Sequence, residues 1–266
     1  MRVLFLGTSA GWPLPRLGCH CPICSSSDKR DRRLRPALLV ENRFLFDAPP
    51  DIYHHFFSNP ERLKGIKDIF ITHAHPDHIL GLYDLTHVYR KTKGIIRRRR
   101  FNLFLTKETL KGIKKVFSFP LTATFNIHLI HPNEVFSIGK TKIVFFPVDH
   151  SRTPTFGIRL KKEKTVSYLP DFAQVPPLSQ KVINRSDMLV LDGTNLLMKK
   201  RSAGSWGHAD WGTIKKLAKN VASKEVFFTH IGHGHYSAPH RQLEKFVQKN
   251  GGKNWHIAYD DLKIKI

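Results

Sequence analysis

Short apolar runs separated by turn residues dominate this chain, and most have the length of a strand. Arg2–Leu6, Ala37–Val40, Phe44–Phe46 and Asp68–Ile71 each read as a strand, with a cysteine-bearing loop between the first two. A short helix begins across Asp51–Phe57. Pro76 followed by Asp77 is a helix start, because proline suits the first turn and a carboxylate favours the positive end of the helix. The spacing of Leu80, Tyr83, Leu85 and Val88 carries that helix towards Gly94. Asn102–Leu105 reads as a strand, and Thr106 caps a helix through Leu110 and Val116. Alternating runs at Glu134–Ile138, Lys142–Val148, Phe156–Leu160 and Thr165–Leu169 predict consecutive antiparallel strands. Beyond them lie a strand at Met188–Leu191, a helix from His208 to Val221 and a strand at Lys224–Phe228. A helix over Pro239–Gln248 and short strands at Trp255–Ala258 and Leu262–Ile266 complete the pattern. Strands then helices, twice over, predict an α/β fold of two mixed sheets packed face to face with helices outside. No linker, repeat or low-complexity stretch divides residues 1–266, which read as a single domain.

Composition narrows the setting. At 266 residues and 41% apolar the chain can bury a substantial core. No run approaches the roughly 18–20 apolar residues of a membrane span. Met1–Gly7 is too short for a signal peptide and reads as the first strand, so a cytoplasmic protein with no membrane partner is expected. Forty-four basic residues against 21 acidic ones give +23. That excess favours phosphate-bearing partners and counts against neutral lactam substrates. It peaks at Lys29–Arg33, Arg97–Arg100 and Lys199–Arg201, each of which taken singly reads as a solvated loop.

Two clusters carry candidate chemistry. His73-Ala74-His75-Pro76-Asp77-His78 sets four potential metal ligands in six residues at the mouth of a strand. Such crowding is costly unless a cation offsets it, and histidine with carboxylate suits zinc, iron or manganese. His73 and His75 alternate to one side, while Asp77 and His78 open the following helix and face another way, an arrangement that would feed two adjacent ions. The second cluster holds all three cysteines, in Cys19-His20-Cys21-Pro22-Ile23-Cys24. An odd number with no distant partner argues against a disulfide, and C-x-C-x2-C is a half-formed site needing one more ligand. His233 is the candidate fourth ligand, which would make a structural zinc pinning this loop to the C-terminal part of the chain. Three buried free thiols is the alternative.

The H-x-H-x-D-H run after a hydrophobic strand resembles the signature of the metallo-β-lactamase superfamily, and the likeness extends from Met1 to about Tyr259. It implies a metallo-β-lactamase-like αββα sandwich and a further histidine, a bridging aspartate and a final histidine at strand ends. His150, Asp171 and His230 match in that order, and Asp47 matches an early aspartate that steadies the histidine loop. The resemblance assigns His73, His75 and His150 to one divalent metal ion (zinc or manganese), Asp77, His78 and His230 to a second, and Asp171 to both. The clustered cysteines with H-x-x-H near the C-terminus are similar to the PhnP proteins, phosphodiesterases that open cyclic ribose phosphates. Two cations would activate water, with Asp77 essential, and His208, in the G-H segment after Leu191-Asp192-Gly193, would protonate the leaving alkoxide. Asp149 and Asp192 are candidates to orient neighbouring ligands, and His235 to line the substrate mouth.

Three functions compete. The leading expectation is an enzyme that hydrolyses a small, cyclic ribose or nucleotide phosphodiester. A ribonuclease Z-like RNA-processing endonuclease is the alternative, weakened because the basic insertion at Lys91–Arg100 is short. A nucleic-acid-binding protein with a structural metal site comes third, since a binding module has no need of an open two-metal site. The expected partners are a small phosphodiester and, through the basic surface, nucleic acid; a homodimer is left open.

Overall fold

The computed structural model describes residues 1–92, 95–199 and 207–266. Gly94, and Lys200 and Arg201 of the third basic peak, lie outside the described residues. Two seven-stranded sheets form the centre. The first runs in the order Lys263–Lys265, Arg2–Gly7, Ala37–Val40, Phe44–Phe46, Asp68–Phe70, Phe101–Leu105, Phe125–Leu129. The second runs Trp255–Ile257, Glu225–Thr229, Met188–Asp192, Thr165–Leu169, Thr155–Lys161, Thr141–Val148, Val135–Ile138. Both are mixed, with parallel pairing from Phe44–Phe46 to Phe125–Leu129 and from Thr165–Leu169 to Trp255–Ile257.

Alternation along single strands builds the layers. Val3, Phe5, Val190 and Phe227 face the partner sheet in one apolar cluster with Phe46, Phe70, Phe145 and Tyr168. Their neighbours turn outward. Leu4 and Leu6 pack with Ile52, Leu82 and Ile113 of one helical layer, and Leu189 and Leu191 with Ile214, Leu217, Leu243 and Val247 of the other. Strands buried on both faces read as continuous apolar runs, which is why they are legible without strict alternation. The inter-sheet layer is aromatic: Phe70 has rings of Phe46 and Phe104 at 5.3 and 5.0 Å. Each such burial contributes roughly 1.5–3 kcal/mol.

Several expectations need correction. The helix after Pro76 stops early: Pro76–Ile79 and Leu82–Leu85 are separate helices, and Tyr89–Thr92 pairs with Ile95–Arg98 as a hairpin. The break lies at Gly81, whose amide donates to the Ala48 carbonyl (2.9 Å) instead of continuing the helix. A Cβ at Gly81 would meet the Pro49 carbonyl oxygen at 2.1 Å, so the two backbones touch. The helix predicted from His208 begins at Trp211, because Asp210 caps it by accepting from the Thr213 amide. The strand Phe125–Leu129 and the helices Pro60–Gly65 and Pro177–Ile183 have no counterpart in the sequence pattern. The basic peak at Lys29–Arg33 is no solvated loop: Arg33 is 1% exposed and donates to Thr8 Oγ1, the Ala258 carbonyl and His240. Arg30 is paired with Asp28 at 2.7 Å.

Candidate metal centre and cavity

Strand direction gathers the site. Asp47, His73, Asp171 and His230 each follow the carboxyl end of a strand that pairs in parallel with a neighbour, and Asp192 closes another. His150 follows Thr141–Val148, which runs in the same direction as Thr165–Leu169 two strands away. Crevices beyond such strand ends are where open α/β sheets place ligands. Two of these residues bend the chain sharply, Asp47 at φ +61° and His230 at φ +54°. A residue that is not glycine is strained there, and such strain collects at functional sites.

The structure brings every sequence-predicted histidine and aspartate of the candidate centre together. His73, His75 and His150 form one group of converging donor atoms, Asp77, His78 and His230 a second, and Asp171 faces His73 and His78 between them. His78 Nε2 lies 2.7 Å and His230 Nε2 3.1 Å from the Asp171 oxygens, while Asp77 Oδ2 is 3.3 Å from both of those histidines. His75 Nδ1 faces His150 Nε2 at 3.3 Å.

The far side of each ring is tied down. His78 Nδ1 donates to Asp47 (2.8 Å), His150 Nδ1 to the Gly207 carbonyl (2.9 Å), and His230 Nδ1 meets Thr194 Oγ1 (2.8 Å). His73 Nδ1 meets Thr72 Oγ1 (3.0 Å), whose own hydroxyl is bonded to Asp47, and His75 Nε2 meets Thr153 (2.8 Å). These contacts fix tautomers and aim the remaining nitrogens inward, as outer partners of metal-bound histidines do. Thr72, Thr153 and Thr194 carry no spacing signal, so sequence reasoning missed them. Asp149 is exposed and pairs with Gln174 through its backbone, so its candidate orienting role is not borne out.

A decisive feature is what the inward atoms lack. His73 Nε2, His78 Nε2 and both carboxylate oxygens of Asp171 are buried and crowd together at 2.7–3.4 Å, yet none of these contacts has the geometry of a hydrogen bond. Leaving several such atoms unsatisfied in one place is costly, and a shared cation removes that cost. Burial, reinforced by neighbouring histidines, holds His73 well below its ordinary pKa and His75 down at about 4, so both are unprotonated lone-pair donors. The donor set therefore fits two divalent metal ions.

Beside this cluster, His208 Nδ1 sits 2.6 Å from Asp192 Oδ2 and 3.5 Å from Asp171. Burial opposes its protonation, yet the Asp192 carboxylate raises its pKa to about 9. Asp192 thus serves His208 directly, and its other oxygen accepts from the Thr194 amide at 2.8 Å. A cavity of about 770 Å³ opens over these groups, lined by His75, Asp77, His150, Asp171, His208 and His230 and, farther out, by His235.

The second candidate site also assembles. Cys19, Cys21 and Cys24 place their sulfurs 3.4, 3.2 and 3.3 Å from His233 Nε2. Tetrahedral zinc with about 2.3 Å Zn–S and 2.0 Å Zn–N bonds would set S and N roughly 3.5 Å apart, so these residues fit that ion. Nearby, the Ile231 amide donates to the Thr8 carbonyl (2.8 Å) and the Ala10 amide to the Ile231 carbonyl (3.0 Å). These bonds tie the segment after the strand Arg2–Gly7 to the turn that carries His230, and His233 lies three residues further on.

Two sheets with flanking helices and clustered histidine and aspartate at their strand ends define a metallo-β-lactamase fold. The chain belongs to the beta-lactamase superfamily, whose domain matches residues 42–231. Among solved structures it is similar to a diphosphatase from the PhnP family, with 28% identity and a TM-score of 0.81 over 100% of this chain and 98% of that one. Zinc-bound PqqB from Methylobacterium extorquens matches at 22% identity and a TM-score of 0.81, each chain covered in full, a likeness of fold. An octanoyltransferase of Porphyromonas gingivalis is 24% identical over the whole of this chain, which spans only 52% of that protein. Among the described residues no helix is long and apolar enough to cross a membrane.

Proposed function

We propose that this protein is a metal-dependent hydrolase of small phosphodiesters. His73, His75 and His150 would hold one divalent ion, Asp77, His78 and His230 another, with Asp171 between them. When bound, such a pair supplies Lewis acidity that acidifies water and offsets charge gathering on phosphoryl oxygens. The observation that carries the proposal is the His208–Asp192 pair on the wall of the same cavity. With Nδ1 committed to Asp192, His208 keeps Nε2 for the substrate, where it hands a proton to the departing alkoxide. An alkoxide leaving group needs that proton.

The cavity's 770 Å³ lies within the roughly 300–1,000 Å³ of small-ligand sites. The 28% identity to a PhnP-family diphosphatase supports phosphoryl chemistry. A ribonuclease Z-like role is less favoured, because the basic insertion folds as a hairpin of two four-residue strands. The test is turnover by metal-loaded protein of bis(p-nitrophenyl) phosphate against p-nitrophenyl phosphate, a β-lactam, a thioester and a tRNA precursor. The diester should be cut fastest and the monoester poorly; preference for any other substrate overturns the assignment.

The basic surface supports a separate contact with polyanions. Lys64, Lys67, Tyr89, Arg98, Arg99 and Arg100 line a groove at the amino ends of Asp68–Phe70 and Phe101–Leu105, the opposite end from His73. Arg99 there is engaged by the carbonyls of Leu63, Lys64 and Ile66, and the Arg98 guanidinium lies 6.0 Å from the Tyr89 ring. Nucleic acid held in that groove would be a docked partner rather than the substrate.

A further inference from the structure

Part of the cavity wall is used by none of the chemistry above. Beyond the strand Arg2–Gly7 the chain continues through Ala10 and Gly11 to Trp12, alongside Ile231 and hence beside the His230 turn. A Cβ at Gly11 would lie 3.6 Å from Asp77 Oδ2, which places this segment directly over a candidate metal ligand. Trp12 lines the cavity yet is 64% exposed. The Arg16 guanidinium lies 5.3 Å from the centre of its indole ring. Arg16 Nε is buried without a hydrogen-bond partner. The other cavity arginine, Arg35, is already committed, to Asp51 at 3.1 Å and to the Gly11 carbonyl at 3.0 Å.

We propose that Trp12 and Arg16 form a nucleobase-binding subsite, so that the diester presented to the metal centre is a nucleotide and not a bare sugar phosphate. The assignment rests on the phosphodiesterase reading and sharpens it. An open indole face offers a stacking platform to any base, and a cation beside the ring strengthens it. The Arg16 guanidinium, which lines the cavity beside the indole, carries N–H donors of the kind that meet the carbonyl or ring-nitrogen edge of a base. The Cys3His corner holds the platform in place: Arg16 lies between Trp12 and Cys19, and its amide donates to Cys24 Sγ at 3.4 Å. Ordering the loop in advance removes part of the entropic cost of binding.

The test is equilibrium binding to the full-length, metal-loaded protein, which is independent of turnover. Adenosine 5′-monophosphate, ribose 5-phosphate, ribose 1,5-bisphosphate and inorganic phosphate are titrated while tryptophan fluorescence and heat are followed. The adenine nucleotide should bind about tenfold more tightly than ribose 5-phosphate and quench the emission that Trp12→Ala removes. Trp12→Ala should erase that preference, and Trp12→Phe, which keeps a stacking face, should restore part of it. Equal affinity for nucleotide and ribose phosphate, or a preference that survives Trp12→Ala, would overturn the subsite. So would tighter binding of the bisphosphate that is lost in Arg16→Gln, which would make this a second phosphate site. If the phosphodiesterase reading alone is wrong, the nucleotide still binds at Trp12 but diesters are not cut.

Discussion

The histidine–aspartate cluster and the cysteine–histidine cluster hold comparable densities of donor atoms, yet their donors are left in different states. In the first, four buried atoms of His73, His78 and Asp171 crowd together without well-formed hydrogen bonds, every ring is anchored from behind, and a cavity opens over the group. In the second, three sulfurs close on one nitrogen at 3.2–3.4 Å in a half-buried loop. An open site keeps a position for substrate, and a closed tetrahedral one contributes to folding. A mutation should therefore register as lost chemistry in the first cluster and as lost stability in the second.

Removing a ligand from the open cluster should have the largest effect. Asp171→Ala and Asp77→Ala should each abolish phosphodiester turnover while the fold, followed by circular dichroism, survives. His208→Ala should slow diesters with alkoxide leaving groups on the order of a hundredfold or more and spare p-nitrophenolate leaving groups, which depart unprotonated. Equal losses on both substrates would remove His208 from the proton-donor role. In the closed cluster, Cys21→Ser should lower Tm by roughly 10 °C, at about 2–4 °C per kcal/mol for a chain of this size, and alter kcat far less. A change in kcat without a change in Tm would invert the comparison.

Smaller effects belong to the rest of the surface. Arg97→Glu with Arg98→Glu should weaken binding of single-stranded RNA and flatten its log–log salt dependence by about 0.7 for each phosphate no longer neutralised, with hydrolysis of a small diester intact. Crippled cleavage of RNA at one defined site would favour the nuclease alternative instead. His256 gives the smallest effect. Its bond to Glu244 (3.4 Å) raises its pKa despite partial burial, with Glu225 at 3.1 Å adding to it. A histidine raised on folding contributes stability fully present below its unfolded pKa of about 6.5 and lost as pH climbs through the raised folded value. Thermal melts from pH 6 to 9 should therefore show a slightly shallower decline in His256→Gln than in the native protein.

Much of this is legible in the chain because apolar runs, ligand residues and strand ends coincide: Ile69–Ile71 leads into His73, Val226–Thr229 into His230, Val166–Leu169 into Asp171. A buried strand announces itself when both its faces are apolar. Phe125–Leu129 escapes such a reading because it is an edge strand whose Asn126, His128 and Leu129 are exposed. The end of the helix after Pro76 depends on the Ala48 carbonyl, more than 30 residues before Gly81 in the chain, and no local pattern records an interaction of that kind. Arg33 misleads for the same reason. A basic run reads as solvated until the fold supplies Thr8, Ala258 and His240 around one member of it.

Metal content and diester turnover, measured on the same preparations, separate the two clusters. Gently purified protein should approach three metal ions per chain. Cys21→Ser should approach two and still cut a phosphodiester, whereas Asp171→Ala should keep the thiolate-bound zinc and cut nothing. A native protein with no metal at Cys19, Cys21, Cys24 and His233 while the aspartate–histidine centre is filled would contradict the account. Loss of diester turnover in Cys21→Ser with the active-centre ions still bound would contradict it equally.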